Sequence, residues 1–358
     1  MNAGLAATLA LTMIILGAGQ AAAAPYAAYV MDARTGQTLH ASDPDRKLHP
    51  ASLTKMMTLY LAIQAVKNGD LRLDQKVTAS RRAASQPPSK IYLQAGHRYT
   101  VRHLMRAAAV KSANDAALAL AEAVSGSQEA FARLMTQTAR EMGMNNTTFR
   151  NPHGLTQRGH LSTARDMAIL GRRLFFDHPE YYNLFSRKTT TAMGRTIRNT
   201  NRRLLSSYRG ADGIKTGYTS AAGYNLVASA QRGGKHVITA VFGGRSSRSR
   251  NAEVARLLDL GFQKSPRHAA IIKPRNVTGG AVVASPLPVE KPGGSETLLA
   301  QVGNAIVPAA AASAAERPAR RIRAMAQAPL RSELPTPRPG LVASGVAMKV
   351  EVPTPRPR

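Results

Sequence analysis

Residues 223–243, GYNLVASAQRGGKHVITAVFG, carry the strongest strand signal in the chain. Two β-rich runs flank Gly233-Gly234, the pattern of a tight hairpin. In the first run Asn225, Val227 and Ser229 alternate with Tyr224, Leu226 and Ala228, so each set faces one side of a sheet. Nearer the start, residues 27–43 (AAYVMDARTGQTLHASD) read as two short strands about the turn Ala33-Arg34-Thr35-Gly36. Helical patterns fill the interval. Strands at both ends with helices between predict an α+β domain, its terminal strands paired in one antiparallel sheet flanked by helices.

The helices announce their own ends. Residues 51–70 (ASLTKMMTLYLAIQAVKNGD) form an apolar helical run closed by Asn68-Gly69. Residues 100–110 and 112–126 predict two helices with a break at Lys111-Ser112. Residues 127–144 predict an amphipathic helix, and 161–178 another with Ser162 or Thr163 as its N-cap.

The chain has 358 residues, of which 44% are hydrophobic and 5% aromatic, with neither Trp nor Cys. The lack of Cys excludes disulfides, thiol chemistry and Cys-ligated metals. At the start, an apolar run from Leu5 to Leu16 precedes the small residues Ala21–Ala24 and then Pro25. This is the layout of a secretory signal over residues 1–24, although no Lys or Arg precedes the run. The run is shorter than the roughly 20 residues that span a bilayer. Composition changes again near residue 264. The last 95 residues hold 14 of the 21 prolines, no aromatic residue, and 14 basic against 5 acidic side chains, a net +9. They repeat LPTPRP (334–339) as VPTPRP (352–357). A segment this poor in bulky apolar residues is expected to stay disordered, apart from a short helix over 295–307. The divisions are thus 1–24, a globular domain over 25–263, and a basic Pro-rich tail over 264–358. The formal charge of +29 first suggests nucleic acid. An exported chain meets anionic lipids and acidic wall polymers instead, so the field points to electrostatic attachment to the envelope or to a solvated surface.

Three short motifs could carry chemistry. In Ser52-Leu53-Thr54-Lys55 the hydroxyl and the amine are neighbours on one helix face. Burial there would favour a neutral amine able to take the serine proton. Ser112-Ala113-Asn114 lies at the helix break and offers a second hydroxyl and an amide. Lys215-Thr216-Gly217 immediately precedes the hairpin, where Lys and Thr on an edge strand could bind a carboxylate and Gly would let a substrate backbone lie close. Singly, each also reads as an N-cap beside a surface lysine, a helix start, or a turn. In this order, S-x-x-K, S-x-N and K-T-G are the signature set of serine β-lactamases and penicillin-binding proteins.

The chain from about Tyr26 to Phe262 resembles the serine D-alanyl-D-alanine carboxypeptidases, the low-molecular-mass penicillin-binding proteins of peptidase family S11. The longer matches are 29–58, 110–122, 144–155 (MNNTTFRNPHGL), 161–170, 198–205 and 210–250. The resemblance implies a β-lactamase/DD-peptidase-like domain. It implies Ser52 as the acylated nucleophile, Lys55 as its base and Ser112 as a proton relay. Asn114 would contact the substrate amide, and Lys215, Thr216 and Gly217 would form the carboxylate-binding strand. Backbone N–H groups of Ser52 and Tyr218 would hold the oxyanion, and Arg245, in FGGRSS (242–247), would help hold the terminal carboxylate. Tyr218 replaces the His common at that position. The implied substrate is the stem pentapeptide of peptidoglycan, the implied inhibitors are β-lactams, and no cofactor, metal or nucleic acid is needed. Such an enzyme would be exported to the periplasm, soluble or peripheral on the inner membrane through its basic tail. A class A β-lactamase is the nearest rival, but it needs a deacylating Glu. The stretch 145–155 has no acid, and Glu180 sits in the unlike context PEYYNLF. A non-catalytic peptidoglycan-binding scaffold is the other alternative, against which the retention of Ser52, Lys55, Ser112 and Lys215 weighs.

Overall fold

The computed structural model describes residues 25–275. The signal expected over residues 1–24, the short helix expected over 295–307 and the PTPRP repeats lie outside them. The strands are β1 (Ala27–Asp32), β2 (Thr38–Ser42), β3 (Lys76–Thr78), β4 (Arg98–Thr100), β5 (Thr189–Ala192), β6 (Arg195–Arg198), β7 (Ala211–Thr219), β8 (Gly223–Arg232) and β9 (Lys235–Gly244). The α-helices are α1 (Lys55–Lys67), α2 (Arg81–Ala84), α3 (Val101–Arg106), α4 (Asn114–Ser125), α5 (Gln128–Glu141), α6 (Ala164–Asp177), α7 (Pro179–Ser186), α8 (Arg202–Ser207) and α9 (Ser247–Lys264).

The main sheet has five strands in the order β2-β1-β9-β8-β7, all neighbours antiparallel. The first and last strands of the sequence pattern do pair, Ala27 facing Phe242 and Asp32 facing Val237. Alternation splits the sheet's side chains between two cores. Tyr29, Met31, Val227, Ile238 and Phe242 face the larger core with α1, α4 and α6. Ala28, Val30, Leu226, Ala228 and Val241 face a smaller one closed by Val254, Leu257 and Leu258 of α9. This two-sided burial gives α+β layers with β7 at the edge, where one row of backbone groups is left for a ligand.

Helix α1 runs through the larger core, with every residue from Lys55 to Ile63 buried, so that apolar side chains occupy most of its circumference. A 3₁₀ turn, Ala51–Thr54, precedes it. Thr163 caps α6, its side chain accepting from the Asp166 N–H. Helix α9 and the segment after it pass the boundary expected at residue 263. Ser265 donates to Asp32, whose carboxylate also pairs with Arg34 at 2.7 Å. Arg34 in turn donates to the carbonyls of Pro266 and Arg267, and the Ile272 N–H to the Arg34 carbonyl. The first residues of the presumed tail are therefore strapped to the β1–β2 turn.

Candidate active site

The 3₁₀ turn places Ser52 over Lys55, because side chains three apart eclipse in that geometry. Ala51 holds a left-handed φ of 49°, uncommon for a residue with a Cβ. Gly154 presses on it so closely that a Cβ there would stand 1.8 Å from the Ala51 carbonyl oxygen. Lys55 is wholly buried, and its Nζ lies 3.1 Å from Ser52 Oγ, 2.6 Å from Asn114 Oδ1 and 2.7 Å from the His153 carbonyl oxygen. Burial first, and the charge of Lys215 second, push its pKa well below the ordinary lysine range, against a smaller opposing pull from Asp115. That carboxylate is engaged elsewhere, accepting from the N–H groups of Ile91 and Leu93.

Ser112 ends a π-helical turn, Ala107–Lys111, in a left-handed conformation with φ 64°. This kink directs its Oγ to Lys215, whose Nζ donates to it at 2.9 Å. Lys215 is 1% exposed, and burial, then Arg250, lower its pKa to about 7. Asn114 begins α4 with its Nδ2 donating to the Pro87 carbonyl. Thr216 donates to Thr200. At Gly217 a Cβ would meet the Pro50 carbonyl at 2.9 Å and the Ser52 nitrogen at 3.1 Å, so β7 can abut the serine turn only without a side chain there. Ser52, Ser112, Asn114, Thr216 and Gly217 line one cleft of about 360 Å³, together with His153, Gly154, Tyr218, Tyr224 and Arg250, and Lys55 and Lys215 lie buried behind Ser52 and Ser112. None of the residues lining it is Asp or Glu.

A family model described as D-alanyl-D-alanine carboxypeptidase, Peptidase S11, matches residues 16–246. The chain belongs to this family. Among curated S11 relatives, D-alanyl-D-alanine carboxypeptidase DacF of Bacillus subtilis is 39% identical over 67% of this chain and 63% of its own length. DacC of Escherichia coli is 42% identical over 65% and 60%. The chain thus spans only about three-fifths of these relatives' length. Of solved structures, penicillin-binding protein 5 of Haemophilus influenzae is 38% identical with TM-score 0.64, covering 69% of this chain and 73% of that one. Penicillin-binding protein D2 of Listeria monocytogenes, solved in an ampicillin-bound form, is 33% identical with TM-score 0.62, covering 68% and 99%.

In this S11 chain the three motifs, from a helix start, a helix break and an edge strand, converge on the same cleft. Arg245 does not join them. It is exposed in a separate hollow beside Tyr26 and Glu253. The cleft is reached instead by Arg250, because Ser246 starts α9 as a capping box and the first turn carries Arg250 back over the end of the sheet. Arg250 is 5% exposed, donates from Nη1 to the Asn225 carbonyl at 2.8 Å, and burial lowers its pKa to about 10. Its only sequence signal is a helix-cap Ser four residues earlier. Two further supports have no counterpart among the expected site residues. The His153 carbonyl anchors Lys55. His160 accepts the Arg150 N–H at Nδ1, so its Nε2 carries the proton and donates to Thr54 at 2.8 Å.

Proposed function

We propose that the chain is a serine carboxypeptidase that releases the terminal D-alanine from peptidoglycan stem peptides ending in D-Ala-D-Ala, through an acyl-enzyme on Ser52. The observation that carries this reading is the hydrogen-bonding of Lys55. A neutral amine has two N–H groups and one lone pair. Asn114 Oδ1 and the His153 carbonyl can accept the two N–H groups, which leaves the lone pair for the Ser52 hydroxyl at 3.1 Å. Lys55 then takes the serine proton as Oγ attacks the carbonyl of the penultimate residue. The N–H groups of Ser52 and Tyr218 would hold the oxyanion. Ser112, bonded to Lys215, passes a proton to the departing amine. Lys215, Thr216 and the Arg250 guanidinium receive the terminal carboxylate, with Lys215 cationic while Lys55 is neutral.

Penicillins would acylate the same serine and leave slowly, since the cleft is lined by no carboxylate to activate water. The leader-like start supports export to the periplasm. Among the described residues no helix is long and apolar enough to cross a membrane. The tail's net charge of +9 would attach the chain to an anionic envelope electrostatically, an attachment released by salt. A fluorescent penicillin tests the reading. It should label the wild type with a long-lived adduct and leave Ser52→Ala unlabelled, with D-alanine release lost in parallel. A wild type that takes no label, or that turns penicillin over many times per second, would sink the proposal.

A further inference from the structure

A second groove, of about 950 Å³, lies apart from the residues that line the cleft. Helix α5 supplies one side, with Glu129, Arg133 and Arg140 along a single helical stripe, and Arg82, Arg150 and Gln157 complete it. Four arginines meet one carboxylate. Glu129 is already held by Arg82 at 2.8 Å, while Arg133, Arg140 and Arg150 have no acidic partner among the described residues. All four arginines are exposed, and the charges of Arg133, Arg140 and Arg150 remain available to a ligand rather than being spent on an ion pair.

The groove and the cleft share no lining residue, but two chain segments pass from one to the other. One runs from Arg82 in the groove to Pro88 and Ser89 in the cleft. The other runs from Arg150 and Gln157 in the groove to His153, Gly154 and Leu155 in the cleft. Leu155 and Gln157 are two residues apart, hence within about 7 Å along the backbone. Asn151 ties this second wall together, its Nδ2 donating to both the Leu155 carbonyl and Gln157 Oε1. Arg82 is close enough to act electrostatically on His153 in the cleft. A strand lying in the cleft would therefore meet positive charge a few residues from its reacting end.

Resting on the carboxypeptidase reading, we propose that this groove holds carboxylates of the same peptidoglycan strand whose peptide end occupies the cleft. It would act as an extended subsite selective for polymeric, acidic substrate over short neutral peptides. The exposed guanidiniums supply paired donors for carboxylates, and the binding is screened by salt.

The test compares the full chain with Arg133→Gln/Arg140→Gln/Arg150→Gln. The control is Lys76→Gln/Arg98→Gln/Arg209→Gln, which removes the same charge from exposed positions outside the groove. On soluble uncross-linked peptidoglycan strands the groove variant should raise KM by about tenfold. On a short N-capped peptide ending in D-Ala-D-Ala, whose sole carboxylate is the terminal one held in the cleft, it should stay within about twofold of wild type. Poly-γ-D-glutamate should compete with strands for the wild type and not for the groove variant. An unchanged KM on strands, an equal rise in the control variant, or equal competition in both proteins would overturn the proposal. If the wild type cleaves neither substrate, the carboxypeptidase reading has failed on its own. The groove is then judged by co-sedimentation of Ser52→Ala protein with insoluble peptidoglycan: weaker retention after the groove substitutions supports it, and equal retention removes it.

Discussion

Two arginines five positions apart show what can be read from a motif and what needs coordinates. FGGRSS points to Arg245, yet that side chain is exposed on the far side of the strand end. Arg250 is the buried cation beside Lys215, and its Nη2 has no protein partner among the described residues. Arg250→Gln should raise KM for a carboxylate-ended peptide by roughly 10- to 100-fold, the size of one lost charge-assisted hydrogen bond. Arg245→Gln should leave it near wild type. Steady-state kinetics on one peptide decide between them, and the reverse ranking would restore Arg245. Ser52, Lys55, Ser112, Asn114 and Lys215 were legible because each belongs to a three- or four-residue pattern. Arg250 was not, because its place depends on the rotation of α9 about a cap rather than on its neighbours in sequence.

Edge strand β7 and the serine turn meet through a glycine. A methyl group at Gly217 would press on the Pro50 carbonyl and the Ser52 nitrogen, the group proposed as an oxyanion donor. Gly217→Ala should slow acylation by penicillin on the order of 100-fold, as loss of one oxyanion donor does. The thermal midpoint should move little, since the edge strand keeps its pairing with β8. Stopped-flow acylation beside thermal unfolding measures both, and wild-type acylation would mean that the turn yields. The hairpin, the β1–β2 pair, the break at Ser112 and the cap at Thr163 were all readable from local pattern. Helices α2, α7, α8 and α9 and the two small sheets were not anticipated. Strands β3–β6 are 3 or 4 residues long, too short for a period to show.

Across the whole molecule, three histidines are buried in neutral form. Burial lowers His153 to about 2, His160 to about 3 and His178 to about 4, from an ordinary 6.5. The unfolded chain binds these protons first as pH falls, so the folded state carries their full contribution above pH 6.5 and loses it below. Each should cost about 1.4 kcal/mol per pH unit until its folded pKa is reached. Urea midpoints should fall steeply between pH 6.5 and pH 5. His178→Phe, at a ring packed 4.4 Å from Tyr60, should flatten that slope. A slope unchanged by the substitution would show that other groups set it.

The strap at residues 265–272 has a consequence for how the molecule can be held. It is fastened to Asp32 and Arg34, level with Val237 on β9, whereas the cleft lies near Gly244 at that strand's other end. The seven residue steps from Val237 to Gly244 correspond to about 23 Å along the sheet. A pull applied at residue 275 is therefore taken up first at the pole opposite the reactive serine, by contacts that include none of the residues lining the cleft.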